Sequence, residues 1–205
     1  MSQLLLEAAR HGGGKKLTTH SHLRPSVFTL QDIVQQSENL AAQLHSLGIG
    51  CGDVVALQLP AWGEWLIAAL GSLRAGAVIL PLTTNLGWHD LAYMLTDAAA
   101  AVYIGPDQWR GTNSRDVLTK AEPLPHLRHR LFIGASAHEG ELDWAQMTSP
   151  PPLCSAPIIL PTADDPAMLV YTSGTTSAPK AVQHSSRTLW AELLSQQNMR
   201  MVADA

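Results

Sequence analysis

The chain has 205 residues, of which 46% are hydrophobic and 15% charged, with a formal charge of −4. This is an ordinary globular composition, long enough for one or two domains around a sizeable core. Thirteen basic against seventeen acidic residues, with no strongly basic patch, exclude nucleic acid as the first-choice partner, because that binding relies on Lys and Arg neutralising phosphates.

No apolar run approaches the ~20 residues that a bilayer span needs, so no transmembrane segment is expected. The start, MSQLLLEAARHGGGKK, has no signal-peptide cleavage pattern. Cys51 and Cys154 stand far apart without metal-ligand spacing and read as reduced thiols, which points to the cytoplasm. His20-Ser21-His22 and His126-Leu127-Arg128-His129 lack H-E-x-x-H spacing and cysteine partners, so no metal site is expected.

Residues 1–26 are the least patterned and read as a poorly ordered leader. Gly12-Gly13-Gly14-Lys15-Lys16 invites a Walker A reading, but Ala9 and Lys16 occupy positions where G-x-x-x-x-G-K-[ST] requires Gly and Ser or Thr. Residues 27–205 carry the ordered pattern. Thr29 to Asp32 fits a capping box, and Ile33, Leu40, Ala41, Leu44 and Leu47 follow at helical spacing, predicting a helix over 30–47 with Gly48 as its C′ residue.

Val54 to Leu59 reads as a buried strand. A helical stripe with Trp62, Trp65, Leu66, Ala69, Leu70 and Leu73 follows, then a strand at 77–80, a helix around Leu91, Met94, Leu95 and Ala98, and a strand at 101–104. Leu131-Phe132-Ile133 is a fourth strand. Apolar strands alternating with helices predict an α/β fold: βαβ units with a mainly parallel sheet flanked by helices. From 149 to 166 the chain holds six of its thirteen prolines and reads as an extended linker, feeding a strand at 167–171. Asp164-Asp165 fit a turn or strand entry better than a shared site, because neighbours in an extended chain point opposite ways.

The chemistry is concentrated in the next nine residues. Thr172-Ser173-Gly174-Thr175-Thr176-Ser177-Ala178-Pro179-Lys180 holds five hydroxyls, a glycine and a terminal lysine. It lies after a strand and ahead of a stretch with Leu189, Trp190, Leu193 and Leu194 that reads as an amphipathic helix. Hydroxyls and exposed backbone N–H groups can wrap polyanionic oxygens, and Lys180 adds a positive charge. A position between buried strand and helix favours a folded loop over a flexible Ser/Thr linker.

Tyr171 to Ser185, YTSGTTSAPKAVQHS, resembles the phosphate-binding signature of the acyl-adenylate-forming (AMP-dependent synthetase/ligase) superfamily, Y-T-S-G-T-T-G-x-P-K-G-V-x-x-[ST]. The stretch LAAQLHSLGIGCGDVVALQLPAWGEWLIAALGSLRAGAVILPLTTNL is similar to the same family's early segment. Ser177 and Ala181 replace two glycines of the pattern, and positive φ at Ser177 would cost on the order of 1 kcal/mol.

The resemblance implies an AMP-forming carboxylate–CoA ligase, most like an acyl-CoA synthetase for a fatty or other acid. Its implied needs are ATP with Mg²⁺, a carboxylic acid, and coenzyme A as co-substrate. By the same likeness Thr172, Ser173, Gly174, Thr175, Thr176, Ser177 and Lys180 would hold the ATP phosphates, with His184, at the start of the next helix, near the acyl or nucleotide site. The family's Y-G-x-T-E-like segment, ribose Asp and late catalytic Lys are not found, so this reads as an N-terminal part whose partner would be the missing C-terminal part. The alternative is a truncated, catalytically inert chain that at most binds nucleotide phosphates or a partner.

Overall fold

The structure is a computed structural model and describes residues 12, 14–21, 24–151, 161–172 and 179–203, with side chains through 195. Ten strands and six helices are assigned among them. β1 (Lys16–Thr19) and β2 (Ser26–Thr29) form an antiparallel pair ahead of α1 (Leu30–Ser46). Then come β3 (Val54–Leu57), α2 (Gly63–Arg74), β4 (Val78–Pro81), α3 (Trp88–Asp97), β5 (Ala100–Pro106), β6 (Gln108–Trp109) and β7 (Thr112–Asn113). α4 (Ser114–Lys120), β8 (His129–Ile133), α5 (Trp144–Thr148), β9 (Pro166–Thr172), β10 (Lys180–Ser185) and α6 (Ser186–Ala203) complete the order. No helix among the described residues is long and apolar enough to cross a membrane.

α1 begins as its sequence dictates. Thr29 Oγ1 accepts from the Asp32 N–H at 3.0 Å, and Asp32 Oδ2 accepts from the Thr29 N–H at 2.8 Å. The Thr29 hydroxyl also donates to Asp32 Oδ2 at 2.7 Å, and this bond first, then the one from the Thr29 N–H, holds the Asp32 carboxyl below the usual carboxylate range. Ile33, Ser37, Leu40, Ala41 and Leu44 make the buried stripe, and Gly48 ends the helix at φ +72°, a conformation that costs glycine little.

The main sheet has the order β10-β9-β4-β3-β5-β8. Every pairing from β9 to β8 is parallel; β10 alone runs antiparallel. Winding passes from β3 outward to β4, then back across β3 to β5. With right-handed crossovers, that reversal puts successive helices on opposite faces. Alternation along each strand feeds both cores. Val55, Leu57, Ile79, Val102 and Ile104 pack with α1, α2 and Met147, while Val54, Ala56, Val78, Leu80 and Tyr103 pack with α3 and Leu118 of α4.

Three details depart from the sequence reading. Lys16–Thr19, inside the stretch read as a leader, pairs with Ser26–Thr29, a partner strand that periodicity alone cannot reveal. Trp62 caps α2 in an extended conformation rather than lying within the helix, held by the preceding Pro60 and by an indole bond to Ser21 Oγ at 3.1 Å. β5 continues through Gly105 to Pro106 rather than stopping before them. Pro106 lies past the last β3 partner, Leu57 opposite Ile104, so its missing N–H breaks no ladder bond.

Tyr103 is fully buried, and its hydroxyl donates to Gln58 Oε1 at 2.6 Å, while Gln58 Nε2 donates to the Thr83 carbonyl at 3.0 Å. A Cβ on Gly105 would come within 2.5 Å of that hydroxyl, so this position accepts only glycine without displacement. Burial pushes the Tyr103 phenol far above its usual value. Its contribution to stability is therefore intact below about pH 10 and erodes as pH rises beyond it. Tyr103→Phe is expected to cost about 1–3 kcal/mol near pH 7, by leaving Gln58 Oε1 buried without its donor, and to flatten the alkaline loss; urea titrations at both pH values read the two effects.

Candidate phosphate-binding site

β9 reaches the sheet by parallel pairing with β4, Ile79 opposite Met168, so Thr172 stands at the carboxyl edge of the parallel strands. This is the edge where open α/β sheets bind ligands. The chain then turns back as β10, with Lys180 opposite Thr172, Ala181 opposite Tyr171 and His184 opposite Met168. The nine-residue motif is thus the connection of a β-hairpin, closed by the Thr172–Lys180 pair, and Thr172 Oγ1 donates to the Lys180 carbonyl at 3.4 Å. Ser173, Gly174, Thr175, Thr176 and Ser177, proposed from the sequence, lie outside the described residues.

This corrects the expected strand–loop–helix order. Ala181-Val182-Gln183-His184 form an edge strand before α6, favoured by extended pairing to β9. His184 is therefore on a strand, not at a helix start. Four residues from Lys180 at ~3.3 Å each put it roughly 13 Å away along the strand, beyond contact with one shared phosphate. Ala181 is exposed in extended backbone, where its methyl meets no constraint. The register breaks at Ser185, which then caps α6: the Ser185 N–H donates to Thr188 Oγ1 at 2.9 Å and the Thr188 N–H to Ser185 Oγ at 3.3 Å. Trp190, Leu193 and Leu194 of α6 and Val182 of β10 are exposed.

Asp164 and Asp165 do separate structural work. Asp164 takes a two-pronged bond from Arg187, at 2.6 and 2.9 Å, and Asp165 Oδ2 accepts from the Thr162 N–H at 2.6 Å.

Helix α3 holds both flanks of the motif. The Tyr171 hydroxyl donates to Asp97 Oδ2 at 2.6 Å, and the Tyr93 hydroxyl donates to the Pro179 carbonyl at 3.1 Å. The two rings meet edge to face, centroids 6.3 Å apart. Burial first, then the Asp97 carboxylate, raises the Tyr171 phenol well above its usual value, so it stays a proton donor. The sequence did not single out Tyr93 or Asp97; the only signal was their i, i+4 spacing on one helix face.

A second feature at the same edge also escaped the sequence reading. A cavity of about 380 Å³ opens beyond the ends of β5 and β8, lined by Arg24, Trp62, Asp107, Gln108, Arg110 and Gly111. Trp62, from the connection between β3 and α2, forms part of its wall. Arg24 lies over the Trp62 ring at 5.7 Å and Arg110 over Trp109 at 5.4 Å, while the two indoles meet edge on at 5.9 Å. Arg115 neutralises Asp107 and binds Glu141 at 2.7 Å, so the acid in the lining is already committed. Arg110 is at φ +50° in the tight β6–β7 turn, beside Gly111 at φ +83°. That conformation is strained for a residue with a side chain, and such strain gathers at functional sites.

Sequence and fold match one family. The model of the AMP-binding enzyme family matches residues 7–204, and the chain belongs to that family. Acyl-coenzyme A synthetase ACSM1, mitochondrial, of Mus musculus is 30% identical over 159 residues, which is 76% of this chain and 26% of that protein. Surfactin synthase subunit 3 of Bacillus subtilis is 31% identical over 153 residues, 75% of this chain and 10% of that protein. The structure of acetoacetyl-CoA synthetase from Streptomyces lividans superposes with a TM-score of 0.77 at 26% identity, covering 90% of this chain and 30% of that one. The α/β fold is therefore that of the adenylate-forming enzymes, and the chain spans about a quarter of the mouse synthetase's length.

Proposed function

We propose that this chain supplies the phosphate-holding part of an AMP-forming acid–thiol ligase. The observation that carries the reading is the hairpin closed by Thr172 and Lys180 at the carboxyl edge of the sheet, in a member of the AMP-binding enzyme family. In the proposed reaction a carboxylate oxygen attacks the α-phosphorus of ATP, and the bond to pyrophosphate breaks to leave acyl-AMP. A thiol, coenzyme A in this reading, then attacks the acyl carbon and expels AMP.

The chain's share is electrostatic. The hydroxyls of Thr172, Ser173, Thr175, Thr176 and Ser177 and the backbone at Gly174 would wrap the β- and γ-phosphates, and the Lys180 ammonium would stabilise charge on the departing pyrophosphate. Among the described residues no three His, Cys, Asp or Glu side chains gather as a metal site. Magnesium in this scheme enters on the nucleotide's phosphates, its usual mode.

In this reading the cavity takes a phosphate of the thiol co-substrate through the exposed Arg110, since Arg24 is paired with Glu64 and guanidinium groups cover the two indoles. β8 and β9 are four strand spacings apart, roughly 19 Å, a gap that an extended co-substrate can bridge.

A second reading, a chain that binds nucleotide phosphates or a partner without turnover, draws on the exposed Val182, Trp190, Leu193 and Leu194. Nucleotide binding without acid-dependent ATP–pyrophosphate exchange would select it. Under the ligase reading, Lys180→Ala in the full-length protein lowers that exchange about ten- to a hundredfold, the loss of one charge-assisted contact; unchanged exchange rejects the site. Arg110→Gly should raise KM for coenzyme A about tenfold while stability is retained or rises by up to about 1 kcal/mol, because glycine accepts the positive φ.

A further inference from the structure

We propose that Tyr93 is a positioning residue for the phosphate loop: its hydroxyl fixes the peptide that leads into Lys180, and so sets where the lysine ammonium stands. The proposal rests on the reading of residues 172–180 as a nucleotide phosphate site and deepens it.

The geometry is specific to the exit side of the loop. Ladder pairing of β10 begins at Lys180, opposite Thr172, and Pro179 just before it has no N–H to join a ladder. The Pro179 carbonyl therefore lies outside the β9–β10 pairing, and the Tyr93 hydroxyl donates to it at 3.1 Å. On the other side of the same residue, Thr172 Oγ1 donates to the Lys180 carbonyl at 3.4 Å. The two carbonyls flanking the Lys180 Cα are thus both held, one by α3 and one by β9.

α3 is itself tied down. Asp97, one turn beyond Tyr93, accepts from Tyr171 at 2.6 Å, and Tyr171 is the residue immediately before Thr172. The Tyr93 and Tyr171 rings pack edge to face, so removing a hydroxyl from Tyr93 leaves the aromatic contact in place. Tyr93 is more than a third exposed, at 38%, so its ring contributes less to the core than Leu91 or Leu95, which are buried. A side chain whose main polar contact is one loop carbonyl is placed to orient that loop.

The test uses the full-length protein and isothermal titration of ATP and, separately, AMP, which lacks the β- and γ-phosphates. Tyr93→Phe is expected to weaken ATP binding about three- to tenfold, the worth of one hydrogen bond, with AMP binding and melting temperature unchanged. Unaltered ATP binding overturns the proposal. Equal weakening for ATP and AMP, or a lowered melting temperature with the nucleotide ratio unchanged, also overturns it, since a merely structural role predicts that pattern. Lys180→Ala is measured alongside. If it binds ATP as tightly as the parent protein, the phosphate-site reading itself fails; if it loses ATP while Tyr93→Phe does not, only the role of Tyr93 fails.

Discussion

The fold depends on the complete desolvation of β3. Its four residues, Val54 to Leu57, are buried on both faces, with β4 on one side and β5 on the other. A strand so placed must send apolar side chains in both directions, and it does: Val55 and Leu57 enter one core, Val54 and Ala56 the other. Burying that short run requires helices on both faces, and the reversal of winding across β3 provides them. The reversal also leaves a gap at the carboxyl ends of β3 and β5, where the loops diverge. The Arg24–Arg110 cavity opens at this same carboxyl edge, past the ends of β5 and β8.

The framework was legible because its signals are local. The capping box of Thr29 and Asp32, the stripe from Ile33 to Leu44 and the apolar runs around Val54, Val78 and Val102 each declare an element within a few residues. What stayed hidden depends on partners distant in sequence. β1 acquires strand character only by facing β2, and Trp62 leaves its helix because Ser21 and Trp109 hold it outside. Arg24 meets Glu64 across forty residues. No window-based periodicity contains these pairings.

The candidate site divides along the same line. For the dense run of hydroxyls ending in lysine, the proposed phosphate role rests on composition and resemblance alone. Its setting in a hairpin was not legible, since Ala181 to His184 read equally well as a helix lead-in until β9 offered an edge to pair with. The supports of the motif, Tyr93 and Asp97, lie on a helix that looked purely structural, because an amphipathic stripe does not show which residues at its polar margin touch a loop.

The antiparallel pairing of β9 with β10 works as a ruler. Side chains of a strand alternate between faces with a period of two, so sliding β10 by a single residue against β9 would turn Lys180 away from the face it now shares with Thr172. The length of the connecting loop can change without altering this, because the face is set by the paired strands and not by the residues that cross between them. A deletion or insertion within Ala181 to His184 does alter it. The side on which the ammonium projects is therefore encoded by a count of residues in an edge strand, some distance from the hydroxyls that make the motif recognisable.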